Sequence, residues 1–180
     1  MMKTTFEDLY DKYHQDLFQY IFYLVKDKAQ AEDLIQEVYI KVLSAYSSFN
    51  GDSAEKTWLF SIARHTTFDY FRKLKRKRMK IQDFFNWEDD GEKLTSTMEE
   101  PEDSILHNDE MHQVYHCLDQ CTVDQKQVVI LRYIQEFSIK ETAEILKWST
   151  SKVKTTQHRA LKVLQTCMMT SSEKEDVNHE

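Results

Sequence analysis

Glycine and proline are nearly missing from this chain, at 2 and 1 of 180 residues. Hairpins and tight turns lean on those two residues, so a fold built on many turns is disfavoured and, with apolar residues recurring at three and four positions, nearly all the structure is expected to be helical. Long apolar runs are missing too. The longest near the start, Leu17 to Val25, is broken by Gln19 and falls short of the ~20 residues that span a bilayer. No leader-like segment precedes it, and the expectation is a cytoplasmic protein that does not enter the membrane. There is no glycine-rich phosphate loop, no paired metal ligands and no Ser or Cys nucleophile beside a base. A catalytic site, a metal and a cofactor are therefore not expected. Cys117, Cys121 and Cys167 lack a zinc spacing and read as reduced thiols. His112 and His116 lie near the first two, but neighbours such as His116 and Cys117 leave a helix about 100° apart, which argues against a shared metal.

What the chain does hold is 41% hydrophobic residues, ordinary for a globular protein, and a formal net charge of -7, which runs against a nucleic-acid binder until the charges are placed. That charge is segregated. From Arg64 to Lys80 the bases Arg64, Arg72, Lys73, Lys75, Arg76, Lys77, Arg78 and Lys80 face Asp69 alone, whereas from Asp83 to Glu110 a run of acids faces Lys93 alone. The basic stretch suits a polyanion. The acidic stretch, residues 83–104, has Gly91, Pro101 and poor periodicity, and reads as a flexible linker between two helical domains.

Apolar residues recur at three and four positions on either side of that linker. Phe6, Leu9, Tyr10, Tyr13, Leu17, Ile21 and Leu24 predict an amphipathic first helix. Asp27, with Gln30 three later, opens a second whose buried stripe is Ala31, Leu34, Ile35, Val38, Val42 and Ala45. This leaves Asp33, Gln36, Glu37, Ile40 and Lys41 outside; Ile40 and Tyr39 among charges hint at a partner surface. Asp52 and Glu55 predict the start of a third helix, packing through Trp58, Leu59, Ile62, Ala63, Thr66 and Tyr70. His65, Asp69, Arg72 and Arg76 line another of its faces. Phe68 and Phe71 among these charges either join the core or offer flat rings for unstacked bases. Beyond the linker, Ile105, Met111, Val114, Tyr115 and Leu118 suggest one helix, and Thr122 with Gln125 caps the next, carrying Val128, Val129, Leu131, Arg132 and Ile134.

Two helix starts then fall within a dozen residues. Ser138 with Glu141 fits a capping box, and Ser149 caps a second helix, each worth roughly 1 kcal/mol. Ala143 is small where helices cross, Lys147 stands at the turn, and Ile139, Leu146, Trp148, Val153 and Leu161 are the expected inner surface. Lys152, Lys154, Thr155, Thr156, His158 and Arg159 remain outside, mostly donors suited to phosphates and base edges. The pattern is a helix-turn-helix. The tail from Thr170 is expected to fray.

Read together, AEDLIQEVYIKV (Ala31 to Val42), TWLFSIARH (Thr57 to His65), DYFRK (Asp69 to Lys73) and the hairpin with VKTTQHRAL resemble bacterial RNA polymerase sigma factors. The resemblance, from about Phe6 to Leu164, is to the small two-domain extracytoplasmic function (ECF) group and within it to the sigma-X type. It implies an all-α protein: residues 1–82 as sigma region 2, 83–104 as linker, 105–169 as sigma region 4 with the helix-turn-helix, and 170–180 as a disordered tail. It implies that Asp33, Gln36, Glu37, Ile40 and Lys41 dock on core RNA polymerase. It assigns promoter DNA at the minus-ten element to Phe49, Asn50, Lys56, Arg64, His65, Phe68, Asp69, Phe71, Arg72, Lys73 and Arg76. The minus-thirty-five element falls to Ser149, Ser151, Lys152, Lys154, Thr155, Thr156, His158 and Arg159. It also makes room for a membrane-anchored anti-sigma partner. His65 stands where asparagine is common in the family, and Thr156 and Gln157 where basic and apolar residues are frequent.

Two other functions use parts of the same pattern. A stand-alone helix-turn-helix repressor or activator would use the hairpin alone, leaving the patterned N-terminal helices without a role. An enzyme with a DNA-reading tail would need the catalytic groups already found wanting.

Overall fold

The computed structural model of the chain describes residues 5–85 and 109–177, with side chains given for 5–80 and 111–171. Every regular element among the described residues is helical. They fall into two compact units, divided at Glu99 and Glu100. The predicted acidic linker and Ile105 lie largely or wholly outside the described residues.

In the N-terminal unit, α1 (Phe6–Val25), α2 (Lys28–Tyr46) and α3 (Glu55–Phe85) each pack on the other two. The first starts where Thr5 and Asp8 form a reciprocal capping box; the second starts at the expected Asp27, whose carboxylate accepts from the Gln30 N–H at 2.9 Å. Leu9, Leu17, Ile21 and Leu24 of α1 meet the stripe Ala31, Leu34, Ile35, Val38 and Val42 of α2, and Leu59, Phe60 and Ala63 of α3, all buried. Tyr20 packs against Phe60 with ring centres 5.4 Å apart. The third helix begins later than expected. Ala54, not Asp52, supplies the first accepting carbonyl, to the Trp58 N–H at 3.0 Å, because the chain spends Gly51 (φ 80°) and Asp52 on the turn itself.

The C-terminal unit runs through α4 (Asp109–Cys117), a 3-10 turn (Leu118–Gln120), α5 (Val123–Val129), a π-helical turn (Ile130–Ile134), α6 (Ile139–Leu146) and α7 (Thr150–Val177). Thr122 and Gln125 cap α5 reciprocally, as the spacing predicts. The single helix expected from Met111 through Leu118 ends one residue early, and Leu118 packs from the 3-10 turn. Residues 170–177, expected to fray, continue α7, since nothing in TSSEKEDV forbids a helix and the stretch lacks both Gly and Pro.

The cysteines correct the sequence reading more sharply. Cys117 at the end of α4 and Cys167 on α7 are joined by a disulfide, Cα to Cα 5.7 Å, and only Cys121 is a free, buried thiol. A separation of 50 residues says nothing by itself; the packing of α4 along α7 brings the pair together. Burial also pushes the Cys121 thiol up from its ordinary value. The loop closed by the bridge contains the whole hairpin. Losing it to dithiothreitol or Cys167→Ser should cost the C-terminal unit about 2 to 4 kcal/mol through unfolded-chain entropy. Urea unfolding followed by helical circular dichroism reads this directly, and identical midpoints with and without reductant would show the bridge to be irrelevant.

Candidate nucleic-acid interface

Outward-facing groups on α2, α3 and α7 form the candidate surfaces. On α2, Asp33, Gln36 and Ile40 are exposed, while Glu37 and Lys41 are half-buried. Ile40 is 64% exposed and Leu43, one turn on, 55%. Leu43 did not stand out in the sequence, although its i+3 spacing from Ile40, off the buried stripe, was the available signal. Lys41 is the least free of the set. Its ammonium lies 3.2 Å from Glu37 and donates to the Thr66 hydroxyl on α3 at 3.1 Å, so it buttresses the helix pair. Tyr39 turns instead toward α1, edge-on to Phe6 and beside Tyr10, with its hydroxyl 2.9 Å from His14 Nδ1.

On α3, His65, Asp69, Arg72 and Arg76 form one stripe, as the spacing predicts. His65 Nε2 is 3.2 Å from Asp69, Arg72 donates to the same carboxylate, and Arg76 Nε reaches the Arg72 carbonyl at 3.4 Å. The Arg72 guanidinium, with a smaller contribution from His65, holds the Asp69 carboxyl below its ordinary range. One carboxylate thus orients two donors. Beside the stripe the Arg64 guanidinium lies over the Phe68 ring at 4.7 Å, and Phe68 meets Phe71 edge-on at 5.6 Å. Both rings are half-buried, so each keeps an accessible edge or face; Lys73 is exposed on the opposite flank. Phe49 is pinned on Trp58 at 4.6 Å, next to exposed Asn50. Lys56 does not join this group. Nine residues before His65 puts it about 180° round the helix, and its ammonium lies 3.8 Å from Asp16 of α1 and over the Phe60 ring.

The hairpin is built as its caps predict. Ser138 N–H donates to Glu141 at 2.8 Å while the Ser138 hydroxyl accepts from the Glu141 N–H at 3.2 Å. Lys147 then takes the left-handed conformation (φ 55°) that glycine fills more cheaply, and the Trp148 N–H closes the helix end on the Ala143 carbonyl at 2.9 Å. Ser149 starts α7, its hydroxyl accepting from the Lys152 N–H at 3.1 Å. Ala143, Leu146 and Val153 are buried as expected; Ile139 and Trp148 are half-buried. Leu161 is 39% exposed rather than inward. At 100° per residue it stands about 80° from Val153, whereas Ala160 and Leu164 stand about 20° from it and take the inner line.

That rotation turns Ser151, Thr155, His158 and Arg159 outward, with Lys154 on one flank and Lys152 on the other; all are exposed. Lys162 continues the same face, a residue reasoning from the sequence passed over although it sits three beyond Arg159. Lys152 bends back so that its ammonium sits 3.8 Å from the centre of the Trp148 ring, and Thr155 donates to the Ser151 carbonyl at 3.0 Å. Thr156 is half-buried at the edge of the face. The helix thus presents donors of different reach on a rigid rod.

Two helical units with a basic, aromatic helix face in one and a capped helix-turn-helix in the other define a transcription protein. Family models match both units: sigma-70 region 2 over residues 9–77 and sigma-70 region 4 over residues 111–164. The chain belongs to the sigma-70 family of RNA polymerase sigma factors, in its extracytoplasmic function group. It is 53% identical over 164 residues to the ECF RNA polymerase sigma factor SigX of Bacillus subtilis (strain 168), spanning 91% of this chain and 84% of that one. It is 36% identical over 176 residues to the RNA polymerase sigma factor YlaC of the same organism, spanning 97% and 98%. The sigma factor RpoE from Bartonella quintana, solved with the anti-sigma factor NepR, shares the fold with a TM-score of 0.70 at 23% identity, over 91% of this chain and 98% of that chain.

One titratable group borders the α2 face. His14 stacks on Tyr10 at 4.5 Å in an open groove that Lys28, Glu32, Ile35 and Gln36 also line. Burial pulls its imidazole below the ordinary value of 6.5. Its unfolded form therefore takes up a proton first, and the N-terminal unit should lose stability as pH falls below 6.5 and on through the depressed folded value. Comparing urea midpoints of the wild type and His14→Gln between pH 7.5 and 5.5 isolates this group from the carboxylates. Equal slopes for the two proteins would remove His14 from the account.

Proposed function

We propose that the two units divide promoter recognition. Residues 1–82 dock on core polymerase and capture the minus-ten element, residues 105–169 read the minus-thirty-five element, and residues 83–104 tether them. The observation that carries this reading is α7, one helix that buries Val153, Ala160 and Leu164 and turns Ser151, Thr155, His158 and Arg159 away from the unit. Asp33, Gln36, Glu37, Ile40 and Lys41, extended by Leu43, form the polymerase-docking face, apolar at its centre and polar around it. Phe49, Asn50, Arg64, His65, Phe68, Asp69, Phe71, Arg72, Lys73 and Arg76 engage the minus-ten element as it opens, with Lys56 bracing α3 on α1. Ser149, Ser151, Lys152, Lys154, Thr155, Thr156, His158 and Arg159 contact the major groove. No helix among the described residues is long and apolar enough to cross a membrane, which suits action on a cytoplasmic polymerase. The role is that of a specificity subunit and asks for no catalysis or cofactor of its own. A membrane-anchored anti-sigma factor is the partner that would hold it inactive.

Core polymerase with purified protein should initiate specifically at a cognate promoter, while the free protein binds the same duplex weakly at physiological salt. Equally tight specific binding of the free protein would favour a stand-alone repressor or activator. Replacing Gln36 and Glu37 together by Ala should weaken core binding with the fold intact, because both lie off the buried stripe. Leu34→Ala should instead destabilise the unit by roughly 2 to 5 kcal/mol. A titration in which the polar double variant binds core like the wild type would move the docking face elsewhere.

The aromatic pair has its own test. Phe68→Ala and Phe71→Ala should slow strand opening more than closed-complex formation, since a ring that stacks on an unpaired base has no partner until the duplex separates. A template already melted across the minus-ten element should restore them. If correctly folded variants stay impaired on that template, the rings do not act by stacking during melting.

A further inference from the structure

The π-helical turn between α5 and α6 carries an arginine that reaches two other parts of the C-terminal unit. The backbone bond from Gln135 N–H to the Ile130 carbonyl, 2.9 Å, widens the chain here by one residue over an α-helical turn, and the bond from Phe137 N–H to the Leu131 carbonyl, also 2.9 Å, spans six residues and closes the end of the turn. Glu136 then takes a left-handed conformation (φ 60°) and leads into buried Phe137, immediately before the Ser138 cap of α6. From this turn the half-buried Arg132 donates through Nη1 to the Phe137 carbonyl and through Nε to Gln157 Oε1 at 2.9 Å. The first contact fixes the entry to the hairpin. The second crosses to α7, between Thr156 and His158.

We propose that Arg132 is a positioning residue for minus-thirty-five reading, setting the rotation of α7 through Gln157. The inference rests on the function proposed above. Its physical basis is the planar guanidinium, whose donors leave at fixed angles, so two acceptors on different segments are locked relative to each other as well as to the arginine. A helix that reads base edges tolerates little rotation. Turning α7 by one residue step, about 100°, would replace Thr155 by a neighbour, and a small fraction of that moves a short threonine hydroxyl out of reach. The apolar contacts of Val153, Ala160 and Leu164 restrain α7 but are nondirectional. Arg132 to Gln157 is a directional, charge-assisted bond on the inner side of α7, about 40° round from Val153, and it is the kind of contact that fixes angle.

The test uses full-length protein with core polymerase on promoters that differ only in the minus-thirty-five element. Arg132→Ala and Gln157→Ala should each reduce binding at the best element roughly tenfold, the loss of about one charge-assisted bond, and flatten the ranking of element variants. A template melted across the minus-ten element and lacking the minus-thirty-five element should be used equally well by all. The double variant should be no worse than either single one. Arg132→Lys, whose single ammonium cannot hold both acceptors in a fixed plane, should fall between. A purely structural role would shift thermal stability and act on every template alike at temperatures near unfolding. If Arg132→Ala stays folded and ranks the elements as the wild type does, or if the two single effects add, the proposal is overturned. Wild-type holoenzyme that ignores the minus-thirty-five element would defeat the functional reading instead. Amide hydrogen exchange in the free protein then decides the positioning claim: exchange over Thr155 to Arg159 should quicken several-fold in both single variants, and unchanged exchange overturns it.

Discussion

A helix advances 100° per residue, and in this protein each functional helix must satisfy packing and recognition with one rotation. On α7, Val153, Ala160 and Leu164 fall within a narrow arc and are buried, which leaves Ser151, Thr155, His158 and Arg159 facing the other way. On α2, burying Leu34, Ile35, Val38 and Val42 turns Gln36, Ile40 and Leu43 outward. The surfaces proposed for recognition have no independent geometry; they are set by how the apolar stripes seat. A core substitution therefore disturbs recognition through angle before it disturbs it through unfolding, and a directional bond such as that from Arg132 to Gln157 restrains what apolar contact alone leaves loose.

Terminating these helices without glycine adds a second constraint. Lys26, Glu136 and Lys147 all occupy the left-handed region, where a side chain costs of order 1 kcal/mol that glycine would avoid. The cost is offset by capping at the following or preceding end: Asp27 after Lys26, Ser138 after Glu136, Ser149 after Lys147. Each break is a left-handed stop followed within two residues by a capped start. Such a pair defines where one helix ends and the next begins to within a residue, so the register of α6 and α7 does not depend on the long-range packing alone.

Local signals made much of this legible in the sequence. Capping spacings found the starts of α1's neighbour α2, of α5, α6 and α7, and apolar periodicity found most of the buried stripes, Tyr10 being exposed and Ala45 half-buried. What stayed hidden is nonlocal. Cys117 and Cys167 are far apart in sequence, and only the packing of α4 on α7 joins them. The resemblance puts Lys56 with the minus-ten residues and the apolar pattern puts Leu161 on the inner surface, yet helical phase turns one toward Asp16 and the other beside the inner line. The π turn has no residue signature, and with it the role of Arg132 was out of reach: the residue reads as one more polar position on a helix until its two acceptors are seen.

Electrostatics explains how an acidic protein can carry the DNA face proposed for α3. Net charge acts over a distance of about 10 Å at ordinary salt, so the acids elsewhere in the chain weaken the field near α3 only where they come close. On α3, Asp69 lies within hydrogen-bonding reach of Arg72 and His65, and it aligns them while cancelling one charge. Beyond it, Arg72 and Arg76, Lys73 and Lys77, and Arg76 and Lys80 are spaced as like-charged pairs four residues apart. Each such pair weakens an isolated helix by about 0.2 to 0.5 kcal/mol. Between Arg72 and Lys80 α3 is mostly exposed, and its apolar groups are half-buried Leu74 and exposed Met79, which do little to repay the repulsion. A polyanion laid along it would relieve that repulsion pair by pair, so that binding strengthens the helix that binds. The same logic makes the contact sensitive to salt, because mobile anions relieve part of the repulsion before DNA arrives.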